Sequence, residues 1–152
     1  MRISPVGFMF DCEEDVIKNA YHATIPSHNS CEAVDAATKI AFMIYYFRKG
    51  YTKNYVYEKL NLEHEYVPFK KFNMTCSETL GNCLYAIYFE ISFDDTIRKT
   101  LLMGGDTDTN CAITGSVAES LYGMTESEKS DAIANLPKGF VKVLKMSYNK
   151  IK

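Results

Sequence analysis

The sequence lacks most features of a multi-domain or membrane-spanning chain. It contains only four prolines and has no internal repeat, low-complexity tract or linker, so one folded unit over residues 1–152 is expected. The longest apolar run, Ile40 to Phe47, is far shorter than the roughly 20 residues that a helix needs to cross a bilayer. No basic start followed by an apolar segment opens the chain, and a cytoplasmic location is therefore expected.

Paired cysteines and basic stripes are lacking as well. The five cysteines include no CxxC pair, which favours free thiols in a reducing compartment over a disulfide framework or a zinc site. The formal net charge is −2, and outside a lysine cluster near the C-terminus the basic residues are scattered. A nucleic-acid-binding surface is therefore not expected. What remains, with 47% hydrophobic and 24% charged residues, is the composition of an ordinary globular protein.

Apolar residues recur at helical spacing along most of the chain, and no convincing set of alternating strands appears. The fold class is therefore predicted to be all-α. One long helix carries apolar residues in nearly every direction over its second half, which indicates that other helices enclose it. Its start, Asn29 to Glu32, predicts a capping box in which Glu32 reaches back to its own helix. Helices are predicted over residues 13–23, 30–49, 53–60, 77–90, 93–102, 108–122, 126–135 and 137–148, with a loop over 63–75.

The segment GGDTDT joins two of these helices. Gly104 and Gly105 allow a sharp turn, and two acids and two hydroxyls follow in the first turn of the next helix. One interpretation is helix capping, which favours Asp and Thr at this position. The other is cation binding, because Asp106 and Asp108 supply the oxygen ligands that Mg²⁺ prefers. The sequence alone leaves both open.

Small residues continue after this hinge and predict a closely packed helix face. The predicted face carries Ala112, Gly115, Ser116 and Glu119, and Gly123 is expected to end the helix. A second acidic pair, Asp94-Asp95, lies at a probable helix start, where capping explains it.

The segment GGDTDTNCAITGSVAESLYG, residues 104–123, resembles the C-terminal signature of the ADP-ribosylglycohydrolase family, whose members include the dinitrogenase reductase-activating glycohydrolase. Three further segments resemble parts of the family in the same order: MRISPVGF (1–8), SHNSCEA (27–33) and TCSETLGNCLYA (75–86). The resemblance implies a compact orthogonal multi-helix bundle that holds two Mg²⁺ ions. It also implies hydrolysis of the glycosidic bond between ADP-ribose and a protein side chain or a related acceptor.

By this resemblance, individual residues acquire expected roles. Asp106, Asp108 and Thr109 are expected to bind metal. Arg2, His28 and Gly105 are expected to bind substrate, and no catalytic residue is assigned. The expected partners are an ADP-ribosylated protein or a small molecule that contains ADP-ribose.

Family members are considerably longer than this chain, which is expected to correspond to their C-terminal half. The remaining metal ligands, an acidic catalytic residue and a glycine-rich loop are then expected from an N-terminal half. The alternative is an inactive remnant that binds ADP-ribose or a partner chain without turnover. Helices that pack against a missing half would expose apolar surface, so association of the isolated chain is also expected.

Overall fold

The computed structural model describes residues 1–62 and 75–151, and the described residues form helices and no strands. The all-α prediction is therefore confirmed. In chain order the helices are α1 (Ser4–Met9), α2 (Glu13–Thr24), α3 (Cys31–Arg48), α4 (Lys53–Lys59), α5 (Cys76–Phe89), α6 (Phe93–Met103), α7 (Thr107–Tyr122), α8 (Glu126–Ala134) and α9 (Lys138–Ile151). The predicted loop over 63–75 lies outside the described residues except for Thr75.

The chain divides into two compact units, Met1–Tyr122 and Gly123–Lys152. The first contains α1 to α7, and the second contains α8 and α9. In the second unit, Thr125 and Glu128 form a capping box at the start of α8. Whether residues 1–152 behave as a single domain stays a prediction.

Hydroxyl side chains start five of the helices, because each accepts a hydrogen bond from a backbone N–H that the helix itself cannot satisfy. The five N-cap residues are Ser30, Thr52, Thr75, Ser92 and Thr125. Glycines with positive φ follow three helix ends, at Gly50 after α3, at Gly104 after α6 and at Gly123 after α7. These local signals explain why most predicted helix ends lie within one or two residues of the observed ones.

Two local predictions were incomplete or wrong. The short helix α1 was not predicted; it has a proline in its first turn and only six residues, too few for a helical period to stand out. The capping box at the start of α3 is half present. Ser30 accepts from the Ala33 N–H at 3.2 Å, but Glu32 Oε1 accepts from the backbone N–H of Ser77 on α5, at 2.8 Å. Tertiary packing offers Glu32 a partner on another helix.

The centre of the first unit is α3, which packs against α1, α2, α4, α5 and α7. Its second half is buried, as the sequence predicts. The most enclosed of its side chains are Ala41, Met43 and Ile44. Gly7 brings α1 unusually near to α3, because a Cβ atom at this position would lie 2.6 Å from both the Ala41 carbonyl oxygen and the Ile44 Cβ atom. Glycine at position 7 is therefore required by space.

Charged residues fasten the segment between α1 and α2 to the end of α3. Arg48 donates to the Phe10 carbonyl oxygen at 2.7 Å and to Asp11 Oδ1 at 2.9 Å. Lys49 donates to the same Asp11 oxygen at 2.9 Å. These two cations hold the pKa of Asp11 below its usual value.

The packed face of α7 differs from the predicted one. The buried residues are Asn110, Ile113, Thr114, Val117 and Ala118, whereas Ala112 of the predicted face is exposed and Ser116 and Glu119 are half-buried. The prediction was wrong because it followed residue size, and the helix instead buries the face that carries its β-branched residues. Gly115 alone makes a close approach, since a Cβ there would lie 3.3 Å from Ile97 Cδ1.

Within residues 1–62 and 75–151, no helix has the length and apolar character needed to cross a membrane. All five cysteines are free thiols, as the sequence predicts.

Candidate active site

A cavity of about 460 Å³ lies in the first unit. Its walls come from the three residues before α1, the end of α2 and the loop that follows it, α3, the start of α5, and the hinge with α7. The lining residues with polar side chains are Arg2, Thr24, Ser27, His28, Thr75, Cys76, Thr79, Asp106 and Thr109, and the apolar ones include Ile3, Ala33, Ala36, Ala37, Ile40, Leu80 and Ile113. A concave apolar site with a few convergent polar groups is a usual form of a small-molecule site.

The cavity brings together four of the six residues selected from the sequence. Arg2, His28, Asp106 and Thr109 all contribute to its wall, although they come from three separate parts of the chain. Gly105 and Asp108 are not among its lining residues. The binding roles predicted for these residues stay predictions.

One rim of the cavity is a short chain of polar groups. The Arg2 guanidinium donates to the Ser27 hydroxyl, and the Ser27 Oγ atom lies 2.9 Å from His28 Nδ1. The turn that carries them is fixed because the backbone N–H groups of Ser27 and His28 both donate to the Thr24 carbonyl oxygen, at 3.2 and 2.9 Å. This rim therefore holds a guanidinium and an imidazole close together.

Ser27 was not selected from the sequence, although it links the two residues that were. The available signal was its place beside His28 in the SHNS turn. Its bond with Arg2 joins residues 25 positions apart, and such a contact cannot be read from local spacing.

Another part of the wall is the acidic hinge, which contributes Asp106. Gly104 and Gly105 have φ angles of 76° and 77°, a region that side-chain-bearing residues rarely adopt. The chain then enters α7, where the Asn110 N–H donates to the Asp106 carbonyl oxygen at 2.9 Å. Two adjacent residues with positive φ thus turn the chain so that Asp106 precedes a regular first helical turn.

Hydrogen bonding from the Asp108 side chain, and to a lesser extent from Thr109, holds the pKa of Asp106 below its usual value. Two carboxyl groups this close repel each other when both are ionised, unless a proton or a cation lies with them. The local arrangement therefore fits a cation, and its donors are the hard oxygen atoms that suit Mg²⁺.

The hinge supplies only part of such a site. In the portion of the chain that the structure describes, no group of three or more His, Cys, Asp or Glu side chains is placed to hold a metal ion. The metal-binding role expected of Asp106, Asp108 and Thr109 stays a prediction.

Buried hydroxyl groups lie between α6 and α7, the two helices that the hinge joins. The Thr100 and Thr114 hydroxyl oxygens lie 3.2 Å apart between α6 and α7. The Thr114 hydroxyl donates to the Asn110 carbonyl oxygen at 2.9 Å, and the Cys83 thiol of α5 lies 3.7 Å from that same oxygen. Polar contacts from α5 and α6 therefore reach α7 at Asn110 and at Thr114.

These features define an all-α protein with a cavity whose wall carries the Arg2 guanidinium, the His28 imidazole and the Asp106 carboxyl group. A family model described as ADP-ribosylglycohydrolase matches residues 1–146, and the chain belongs to this family. Searches of curated proteins and of solved structures gave no match. The family membership inferred from the four segments is thereby confirmed.

Proposed function

We propose that this chain takes part in Mg²⁺-dependent hydrolysis of the glycosidic bond between ADP-ribose and a protein side chain or a related acceptor. The observation that carries the proposal is the cavity, where Arg2 and His28 share a wall with Asp106 and Thr109. Membership of a glycohydrolase family supports the reaction class. The cytoplasmic location expected from the sequence remains part of the proposal.

The rim of Arg2, Ser27 and His28 suits the anionic part of the substrate. A guanidinium offers paired N–H donors whose geometry matches phosphate oxygens. The Ser27 hydroxyl restrains the guanidinium through a hydrogen bond, so less side-chain freedom is lost when a ligand binds. The apolar wall of α3 limits the water around the bound ligand.

Asp106, Asp108 and Thr109 would hold Mg²⁺ at the hinge. When bound, the ion supplies Lewis-acid polarisation and orients water and ribose hydroxyl groups. The protein's own contribution is to fix its ligands, because a donor set anchored on a packed helix loses little freedom on binding. The buried Thr100 and Thr114 provide that anchoring.

We further propose that acids from a facing N-terminal half complete the two-ion site. This part of the proposal is supported by the described residues, among which no group of three or more His, Cys, Asp or Glu side chains is placed to hold a metal ion. The same observation favours a second candidate function, in which the chain binds ADP-ribose or a partner chain without turnover.

The decisive assay follows release of free ADP-ribose from an ADP-ribosylated protein. It is run with and without Mg²⁺, and with and without an added N-terminal half of a family member. Magnesium-dependent release in either arm supports the hydrolase. Binding of ADP-ribose in a calorimeter with no release in any arm supports the second candidate, and absence of both binding and release contradicts the two together.

A matched control separates the hinge from acidic residues in general. Asp94 lies in the first turn of α6 and pairs with Arg98, away from the cavity wall. We expect Asp106→Asn to abolish release and Asp94→Asn to leave it unchanged. Equal loss in both variants would show that the hinge has no special role.

A further inference from the structure

Glu32 joins two helices that both line the cavity. It is the second residue of α3, and its Oε1 atom accepts a hydrogen bond of 2.8 Å from the backbone N–H of Ser77, the second residue of α5. The two residues are 45 positions apart in the sequence. This bond also holds the pKa of Glu32 below its usual value, so the carboxyl is ionised at neutral pH.

The bond satisfies a particular group of α5. The first backbone N–H groups of a helix have no partner inside it. At the start of α5, Thr75 and Glu78 form a capping box that serves the N–H groups of these two residues. Ser77 lies between them, and its N–H is served by Glu32 from the neighbouring helix. The start of α5 is therefore completed by a residue of α3.

The two joined helix starts form adjacent parts of the cavity wall. Ala33 of α3 directly follows Glu32, and Cys76 of α5 directly precedes Ser77; both line the cavity. Glu32 itself is exposed and does not line it. A bond just outside the wall thus sets the spacing of two residues inside it.

We propose that Glu32 is a positioning residue, which fixes the start of α5 against α3 and thereby determines how tightly the cavity holds the ADP-ribose part of a substrate. This inference rests on the proposed function of the cavity. Glu32 acts through the helix starts and touches no substrate. Its loss therefore raises the dissociation constant and KM, and leaves kcat largely unchanged.

Glu14 provides a matched control. It is the second residue of α2, as Glu32 is of α3, so both acids have the same relation to the dipole of their own helix. Glu14 is exposed and does not line the cavity. The variants Glu32→Ala, Glu32→Gln and Glu14→Ala are compared with the full wild-type chain. Circular dichroism first establishes that each variant is folded.

Two measurements test the inference. Hydrogen exchange at the Ser77 amide is expected to be faster by on the order of tenfold in Glu32→Ala, because its acceptor is lost. Calorimetry with ADP-ribose is expected to show about fivefold weaker binding in the same variant. Glu32→Gln retains an acceptor oxygen and is expected to recover most of both effects, while Glu14→Ala is expected to match wild type.

The outcomes distinguish this inference from the proposed function. If wild type binds ADP-ribose and Glu32→Ala binds it equally well, the positioning role is wrong and the proposed function stands. If wild type binds no ADP-ribose either alone or with an added N-terminal half of a family member, the proposed function of the cavity fails and the positioning role fails with it. If Glu32→Ala and Glu14→Ala weaken ADP-ribose binding equally, the effect comes from helix electrostatics. That result would also overturn the inference.

Discussion

The Lys53 ammonium lies 2.8 Å from the carbonyl oxygen of Glu90, the residue that follows α5. It donates equally closely to the Tyr88 carbonyl oxygen and, at 3.2 Å, to the Tyr122 hydroxyl. One side chain of α4 thus binds the ends of α5 and α7. Burial lowers the pKa of Lys53, and a positive charge at the C-terminal end of a helix is favourable.

We expect Lys53→Met to lower the free energy of unfolding by about 2 kcal/mol, because it keeps the aliphatic stem and removes charge-assisted hydrogen bonds. Lys59→Met on the same helix serves as the control. Lys59 makes two surface contacts, a 3.9 Å ion pair with Glu13 and a cation–π contact 5.9 Å from the Tyr46 ring centroid. Contacts of either type contribute about 0.5 kcal/mol. Urea unfolding measures both, and equal losses would contradict the role given to Lys53.

One added methyl group at position 7 is expected to lower the stability of the fold. A Cβ atom there would lie 2.6 Å from backbone and side-chain atoms of α3, so Gly7→Ala is expected to cost about 3 kcal/mol through overpacking. Gly81 of α5 is the control, since a Cβ there meets nothing within 4 Å. Gly81→Ala should raise stability by about 0.5–1 kcal/mol through helix propensity. Thermal unfolding of both variants gives the comparison, and a neutral Gly7→Ala would refute the close approach of α1 and α3.

The lowered pKa of Asp11 predicts that the stability of the fold depends on pH. Arg48 and Lys49 lower its folded pKa, so its ionised form stabilises the folded state above the unfolded pKa of about 3.9. That contribution is lost as the pH falls through the lower, folded pKa. We expect Asp11→Asn to be less stable than wild type near about pH 6, and the difference to vanish near about pH 2. Urea unfolding at the two pH values tests this, and a constant difference would contradict it.

If the hinge binds Mg²⁺, substitutions in it are expected to lower the affinity of the chain for Mg²⁺. We expect Asp106→Asn and Asp108→Asn each to weaken Mg²⁺ binding by at least about tenfold, because each removes one anionic oxygen ligand. Asp94→Asn should leave it unchanged. Titration calorimetry with Mg²⁺ alone measures the affinity without any substrate. Binding that is unaffected in the first two variants would place the ion elsewhere.

The helices were predictable because their signals are local. Ser92 and Thr125 cap the helices that follow them, and Gly123 follows the last residue of α7 with a positive φ. The apolar residues of α3 also predicted that other helices enclose it. These signals lie within a few positions of each helix end, so they can be read from the sequence without knowing how the helices pack.

The site was predictable only in its separate pieces. The family segments pointed to Arg2, His28 and Asp106, but the Ser27 link and the bond from Glu32 to Ser77 depend on which helices become neighbours. The prediction of the packed face of α7 was wrong for the same reason. Residue size suggested one face, and the geometry of the surrounding helices selected another.

The Thr100–Thr114 pair has a consequence for the direction in which the hinge faces. Apolar contacts are not directional, whereas a contact between two hydroxyl groups depends on where each oxygen points. The Thr100 and Thr114 oxygens lie 3.2 Å apart in a buried interface, and each hydroxyl also bonds a carbonyl oxygen of its own helix. This contact between α6 and α7 exists only over a narrow range of rotation of α7 about its axis, and that rotation also sets the direction of Asp108 in its first turn.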